Sequence, residues 1–228
     1  MPKFIRLLSL LWKAMVLVAC ITVSAEAAEQ RYFVSVPTLG VINQSGKVVG
    51  ATHYLAVQID RLSQPVGPEI QFNEGSRSLG RLKGGALSPD WKEAAQVAVR
   101  AAAQAVAEDP RTWQVTIKNV TDAYLTDGPS ASAILAIAIV AALRGVAILP
   151  GIALTGAIDG DGNIKAVGGV PDKIQGAASS GFSTVLIPPG QTRTRDWDVR
   201  PLSESLRLTV IEVRTLREAY ERMTGTAF

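Results

Sequence analysis

The sequence predicts a single α/β (α+β) domain, on three observations. Segments rich in β-branched and aromatic residues alternate with Ala-rich helical segments along 228 residues. A hydrophobic share of 47% against 19% charged suits one packed core. One stretch, residues 131–143 (ASAILAIAIVAAL), is apolar on every face and so must be enclosed.

The first 27 residues stand apart from that domain. Lys3, Arg6 and Lys13 precede an apolar run from Ala14 to Val23, and Ala25-Glu26-Ala27 follows as a small-x-small site. This is the layout of a secretory signal peptide, which leaves 28–228 as the folded domain. Leu17-Val18-Ala19-Cys20 fits a second reading, a lipid-attachment signal or retained anchor that would tether the chain to a membrane through Cys20 or the N-terminus. Either way the protein is expected to be exported, to the periplasm or beyond.

Cys20 is the only cysteine, so the domain is expected to hold no disulfide, no thiolate metal site and no cysteine nucleophile. Without residues 1–27 the net charge of +3 falls to about +1, and no basic stripe survives to suggest nucleic-acid binding.

The elements follow in order. RYFVSVPTLG and VVGATHYLAVQID, joined by NQSG, predict a hairpin. Residues 63–87 are polar and Gly-rich and are the least readable part of the sequence. Ser88 as N-cap and Pro89 at the first helical position open an Ala-rich helix of about five turns. TWQVTIKNV is a strand.

Asp127 and Gly128 then serve as caps for the apolar helix, with Pro129 in its first turn. This helix is too short to span a bilayer, which takes about 20 residues, so it is a core helix. GIALTGAID and GNIKAVGG flank a turn at 159–162, VPDKIQGAASSG is a short helix, and FSTVLIPPG and LRLTVIEV are strands. TLREAYERM closes the chain as a helix, while PPGQTRTRDWDVRP reads as a surface loop. Trp91, Trp113 and Trp197 are expected as packing or loop anchors.

Two positions carry chemistry. Ser130 lies where the free N–H groups of a helix start point outward, a place suited to an oxyanion. By itself the stretch reads first as ordinary helix capping, because a serine nucleophile needs a base. The sole histidine, His53, sits in a strand pattern and reads as a packed or edge side chain. Lys173 is the other candidate: it falls in the first turn of a helix opened by Gly168-Gly169 and Pro171, where dipole and burial both disfavour the ammonium.

Two further signals fail. Asp159-Gly-Asp-Gly-Asn163 begins like a calcium loop, but Ile164 and Val170 occupy the positions that need Gly and Glu. Gly160 and Gly162 lead to Lys165 where a dinucleotide fingerprint needs its third glycine. No metal or cofactor is expected.

Taken together, DGPSAS, LTGAID and GGVPDK, followed by GFSTVLIP, resemble the proteolytic domain of the Lon protease family. Its patterns run Asp-Gly-Pro-Ser-Ala-Gly, Thr-Gly in a strand, Gly-Gly-hydrophobic-x-x-Lys, and a buried strand ending Ile-Pro. Thr155 and Lys173 lie 25 and 43 residues after Ser130, at the family's intervals.

The resemblance implies a fold like domain 2 of ribosomal protein S5 and a Ser-Lys dyad peptidase. Ser130 is the nucleophile, Lys173 the general base, Thr155 its orienting partner, and Asp127 shapes the turn. The backbone at Gly128, Pro129 and Ser130 forms the oxyanion site. Polypeptides are the implied substrates, and a homo-oligomeric ring of six the implied assembly.

Two departures qualify this. Ser132 replaces the family's second glycine. No Gly-x-x-x-x-Gly-Lys-Ser/Thr occurs, which implies a stand-alone, ATP-independent activity. A non-catalytic binding or assembly module, or an esterase or amidase using the same dyad, are the alternatives left open.

Overall fold

Alternation with a period of two builds the centre of the fold. In β2 (Lys47–Arg61), Leu55, Val57 and Ile59 are buried while Tyr54 faces solvent. β1 (Tyr32–Gln44) pairs with it antiparallel in unbroken register, from Tyr32 opposite Ile59 to Gln44 opposite Lys47. Ser45 and Gly46 close this hairpin, both at positive φ (54° and 82°), the twist that matches a two-residue connection. The structure, a computed structural model, describes residues 31–74, 86–121 and 125–228. The expected signal segment and Cys20 lie outside the described residues.

Around the hairpin, a seven-stranded mixed sheet runs in the order β11-β10-β7-β1-β2-β5-β3. β5 (Trp113–Val120) adds to β2 antiparallel, whereas β7 (Ile152–Leu154), β10 (Thr184–Ile187) and β11 (Thr209–Glu212) run parallel to one another. β1 meets β7 at a single register position, Thr38 opposite Leu154.

Each face of the sheet is a separate core. On one side Val36, Leu55, Val115, Leu154 and Leu186 pack against α1 (Pro89–Val106), α2 (Ser132–Arg144) and α5 (Leu216–Thr224). On the other, Leu39, Ala153, Val185 and Ile187 pack against Val170, Ile174 and Ala177 of α3 (Val170–Ser179). Neighbours such as Ala153 and Leu154 thus divide between the two cores, which is why these strands read as continuous apolar runs. α2 is buried from Ser132 to Ala142 and ends at Gly145 with φ 64°. Burying its Ile134, Leu135, Ile137 and Ile139 contributes about 2 kcal/mol each. Among the described residues, no helix is long and apolar enough to cross a membrane.

The α/β class, the hairpin, the helix from Ser88 and the closing helix agree with the sequence. Ser88 accepts from the Trp91 N–H, and Thr215 caps α5 through the Glu218 N–H. Trp91 and Trp113 are buried in the core.

Three features differ. The least readable stretch, between 63 and 87, contains β3 (Glu69–Phe72), a parallel edge strand on β5, and β4 (Ala86–Leu87), which pairs with β6 (Leu125–Thr126). The loop after β10 runs into α4 (Arg200–Leu206), a two-turn helix that meets the second core only through the half-buried Leu202 and Leu206, too short an apolar stripe to read. GIALTGAID breaks after Leu154, and its second half, β8 (Ala157–Ile158), turns away to pair with β9 (Ile164–Lys165).

α3 lies against β2 main chain to main chain. A Cβ on Gly50 would stand 1.7 Å from the Asp172 carbonyl oxygen, and one on Gly176 would stand 2.5 Å from the Gly50 carbonyl carbon. No residue with a side chain fits at either position. This contact brings the first turn of α3, with Lys173, close to the hairpin.

Candidate active site

Ser130 is presented by a turn that glycine makes possible. After β6, Gly128 adopts φ 79°, ψ 162°, a conformation that side-chain-bearing residues avoid, with open space where a Cβ would be. Pro129–Ala131 then form one turn of 3-10 helix before α2 begins at Ser132. Gly128 is the N-cap of this 3-10 turn, but no side chain caps either helix start. Asp127 instead accepts the Gly128 N–H at 2.8 Å, which fixes the turn. The Ser88 hydroxyl and that same amide hold the Asp127 carboxyl below its usual range.

Of the three backbone positions named for the oxyanion, Pro129 has no N–H and the Gly128 N–H is directed at Asp127. The Ser130 N–H is the remaining one.

Lys173 sits where the sequence places it, in the first turn of α3 behind Gly169 at φ 65°. It is 3% exposed. Burial drives its pKa down from 10.5 to about 8, because an ammonium loses its hydration there. Nζ donates to Thr155 Oγ1 at 3.2 Å. Thr155 is itself fully buried and is anchored through its N–H to the Leu186 carbonyl at 3.1 Å.

The serine and the lysine approach through this threonine. The Gly156 N–H, one residue beyond Thr155, donates to the Ser130 carbonyl at 3.0 Å, and the Ala133 N–H returns to the Gly156 carbonyl at 3.1 Å. Thr155 and Lys173 are therefore joined directly, and the Ser130 turn is bonded to the segment that follows Thr155. Among the described residues, Ser130 Oγ and Lys173 Nζ share no hydrogen bond, the ammonium being turned to Thr155.

His53 is nearer this centre than its strand pattern suggested. It stands on β2 opposite Thr38, its ring against Gly40, where a Cβ would lie 3.3 Å from Cε1. Burial, and then the charge of Lys173, lower its pKa from 6.5 to about 4, so the ring is neutral near pH 7. Its Nε2 is buried without a hydrogen-bond partner among the described residues. No local signal marks this position, since its relation to Lys173 arises from the packing of α3 on the hairpin.

Ser132, the departure from the family pattern, is 4% exposed and fully engaged. Its Oγ donates to the Pro129 carbonyl at 2.8 Å and accepts the Ile158 N–H at 3.0 Å. The acidic turn after β8 is occupied by its own chain: Asp159 accepts from Asn163 and pairs with Lys165 at 2.8 Å.

The site thus holds a half-buried serine just before a helix start and, separately bonded to Thr155, a buried lysine of lowered pKa. The family model of the Lon protease (S16) C-terminal proteolytic domain matches residues 66–223. The Lon protease of Chloroflexus aurantiacus is 33% identical over 171 residues, 71% of this chain and 20% of that protein. Lon protease 1 of Bacillus subtilis is 30% identical over 187 residues, 78% of this chain and 23% of its own length. The archaeal Lon protease of Methanocaldococcus jannaschii is 36% identical over 92 residues, 40% of this chain and 13% of that protein. The chain thus spans about a fifth of the curated relatives it matches, and, with Ser130, Thr155 and Lys173 all inside the residues that the family model matches, it belongs to the Lon protease proteolytic-domain family.

Proposed function

We propose that this chain is an ATP-independent serine endopeptidase that hydrolyses unfolded or flexible polypeptides. The observation that carries the reading is a buried lysine of lowered pKa, held by Thr155, whose next residue bonds the Ser130 carbonyl.

Neutral Lys173 takes the Ser130 Oγ proton as Oγ attacks the substrate carbonyl carbon. The Ser130 side chain closes on Nζ with substrate bound, as catalytic hydrogen bonds commonly do. The Ser130 N–H opposes the oxyanion charge. When the C–N bond breaks, the lysine ammonium returns its proton to the leaving amine, leaving an acyl-serine. A water molecule then gives its proton to Lys173, attacks the ester and releases the acid as Oγ is reprotonated. Thr155 orients Nζ throughout, and Asp127 keeps the turn in shape.

ATP independence is supported by the lack of a phosphate-binding loop motif in the 228 residues. The layout of residues 1–27 supports export, with Cys20 or the N-terminus as a membrane tether. Family membership supports an S5-domain-2-like fold and a homo-oligomeric ring. The test compares wild type, Ser130→Ala and Lys173→Ala on casein and on peptide libraries without ATP. Both variants should lose turnover, and equal activity in all three would overturn the reading. Turnover confined to small esters would replace a peptidase by an esterase.

A further inference from the structure

Ser132 does more than fill the position where the family pattern has glycine. Its side chain is buried, and both hydrogen-bonding roles of its hydroxyl are used, toward the Pro129 carbonyl at 2.8 Å and from the Ile158 N–H at 3.0 Å. Pro129 is the residue before the nucleophile. Ile158 lies on β8, three residues after Thr155, the hydrogen-bond partner of Lys173.

Two backbone bonds already join these segments, Gly156 N–H to Ser130 carbonyl and Ala133 N–H to Gly156 carbonyl. The hydroxyl adds a third rung that neither glycine nor alanine supplies. Without it the Ile158 N–H is a buried donor lacking its partner, a situation folded chains avoid. The turn that carries Ser130 would then be held to the Thr155 segment by the two backbone bonds alone.

We propose that Ser132 is a positioning residue, whose hydroxyl sets the turn bearing Ser130 against the strand segment that orients Lys173. The proposal rests on the peptidase reading for its catalytic consequence. Its structural half, the tether to Ile158, stands apart from that reading.

The experiment measures kcat and KM on a fluorogenic casein-derived peptide, together with amide hydrogen exchange at Gly156 and Ile158. It uses the full chain as wild type, Ser130→Ala, Ser132→Ala, Ser132→Gly and Ser132→Thr. Loss of alignment in Ser132→Ala and Ser132→Gly should lower kcat about tenfold with KM within about twofold, since misplacement of a reacting group falls on turnover. Exchange at Ile158 should rise in both. Ser132→Thr keeps the hydroxyl and should restore both readouts. The glycine variant carries the residue of the family pattern and so guards against a merely unfolded alanine variant.

Unchanged exchange at Ile158 in Ser132→Ala and Ser132→Gly overturns the inference, whatever the turnover. So does an effect on KM alone, or a full kcat in both variants. Turnover that survives Ser130→Ala overturns the peptidase reading instead, and the exchange at Ile158 still decides the tether.

Discussion

Lys173 offers the sharpest test of the chemistry, because one number governs both its activity and its effect on stability. With a pKa of about 8, the amine is neutral in about one molecule in ten at pH 7, against about one in three thousand for an ordinary lysine. The kcat/KM for a peptide substrate should therefore climb about tenfold per pH unit between pH 6 and 7 and level off above about pH 8.5. The folded-state pKa lies below the unfolded value of 10.5, so between about pH 8 and 10.5 the unfolded chain holds the extra proton. This group's contribution to stability hence rises with pH through that window. Below pH 8 the buried ammonium costs the fold about 3 kcal/mol, undiminished by solvent because the side chain is 3% exposed. Lys173→Met should accordingly abolish turnover and raise the melting midpoint at pH 7, by roughly 6–12 °C for a domain of this size. Peptide hydrolysis across pH 6–10 and calorimetry at pH 7 measure the two arms. A flat rate profile between pH 6 and 8, or a methionine variant no more stable than wild type, would refute the reasoning.

Thr155→Val preserves shape and removes the acceptor of the Lys173 ammonium, so the lysine pKa should fall further. The acid limb of the pH–rate profile should move below pH 8 while the plateau kcat drops, and an unmoved limb would dissociate Thr155 from the base. Gly176→Ala should destabilise the fold by about 3 kcal/mol, since its Cβ would meet the Gly50 carbonyl carbon at 2.5 Å. An exposed helix interior would gain from the same change. Gly160→Ala, with nothing within 4 Å, is the control in thermal unfolding.

Elements whose own residues decide their state were legible. β-branched and aromatic residues marked β1, β2 and β5, and Ser88 with Pro89 marked the start of α1, because composition and cap are local properties. β3 was not legible: its apolar face is only Ile70 and Phe72, too short for a period to show, and its identity comes from pairing with the β5 edge. At the site, the resemblance to the Lon motifs implied one centre for Ser130, Thr155 and Lys173, and the structure joins Thr155 to Lys173. The engagement of the Gly128 amide by Asp127 could not be read, since it depends on a side-chain orientation. The nearness of His53 to Lys173 depends on how α3 meets the hairpin, and no window of sequence contains both.

The contact of Gly50 with Gly176 has a consequence for how this protein tolerates change. Side chains absorb a misfit by changing rotamer, but two abutting peptide backbones have no such slack. The base is therefore located by a hard stop. Substitutions elsewhere in the second core can loosen or tighten its filling, yet they have little leverage on where α3 begins. The hairpin acts as a gauge block for Lys173, and the variation that such a site can accept without drifting is concentrated away from those two glycines.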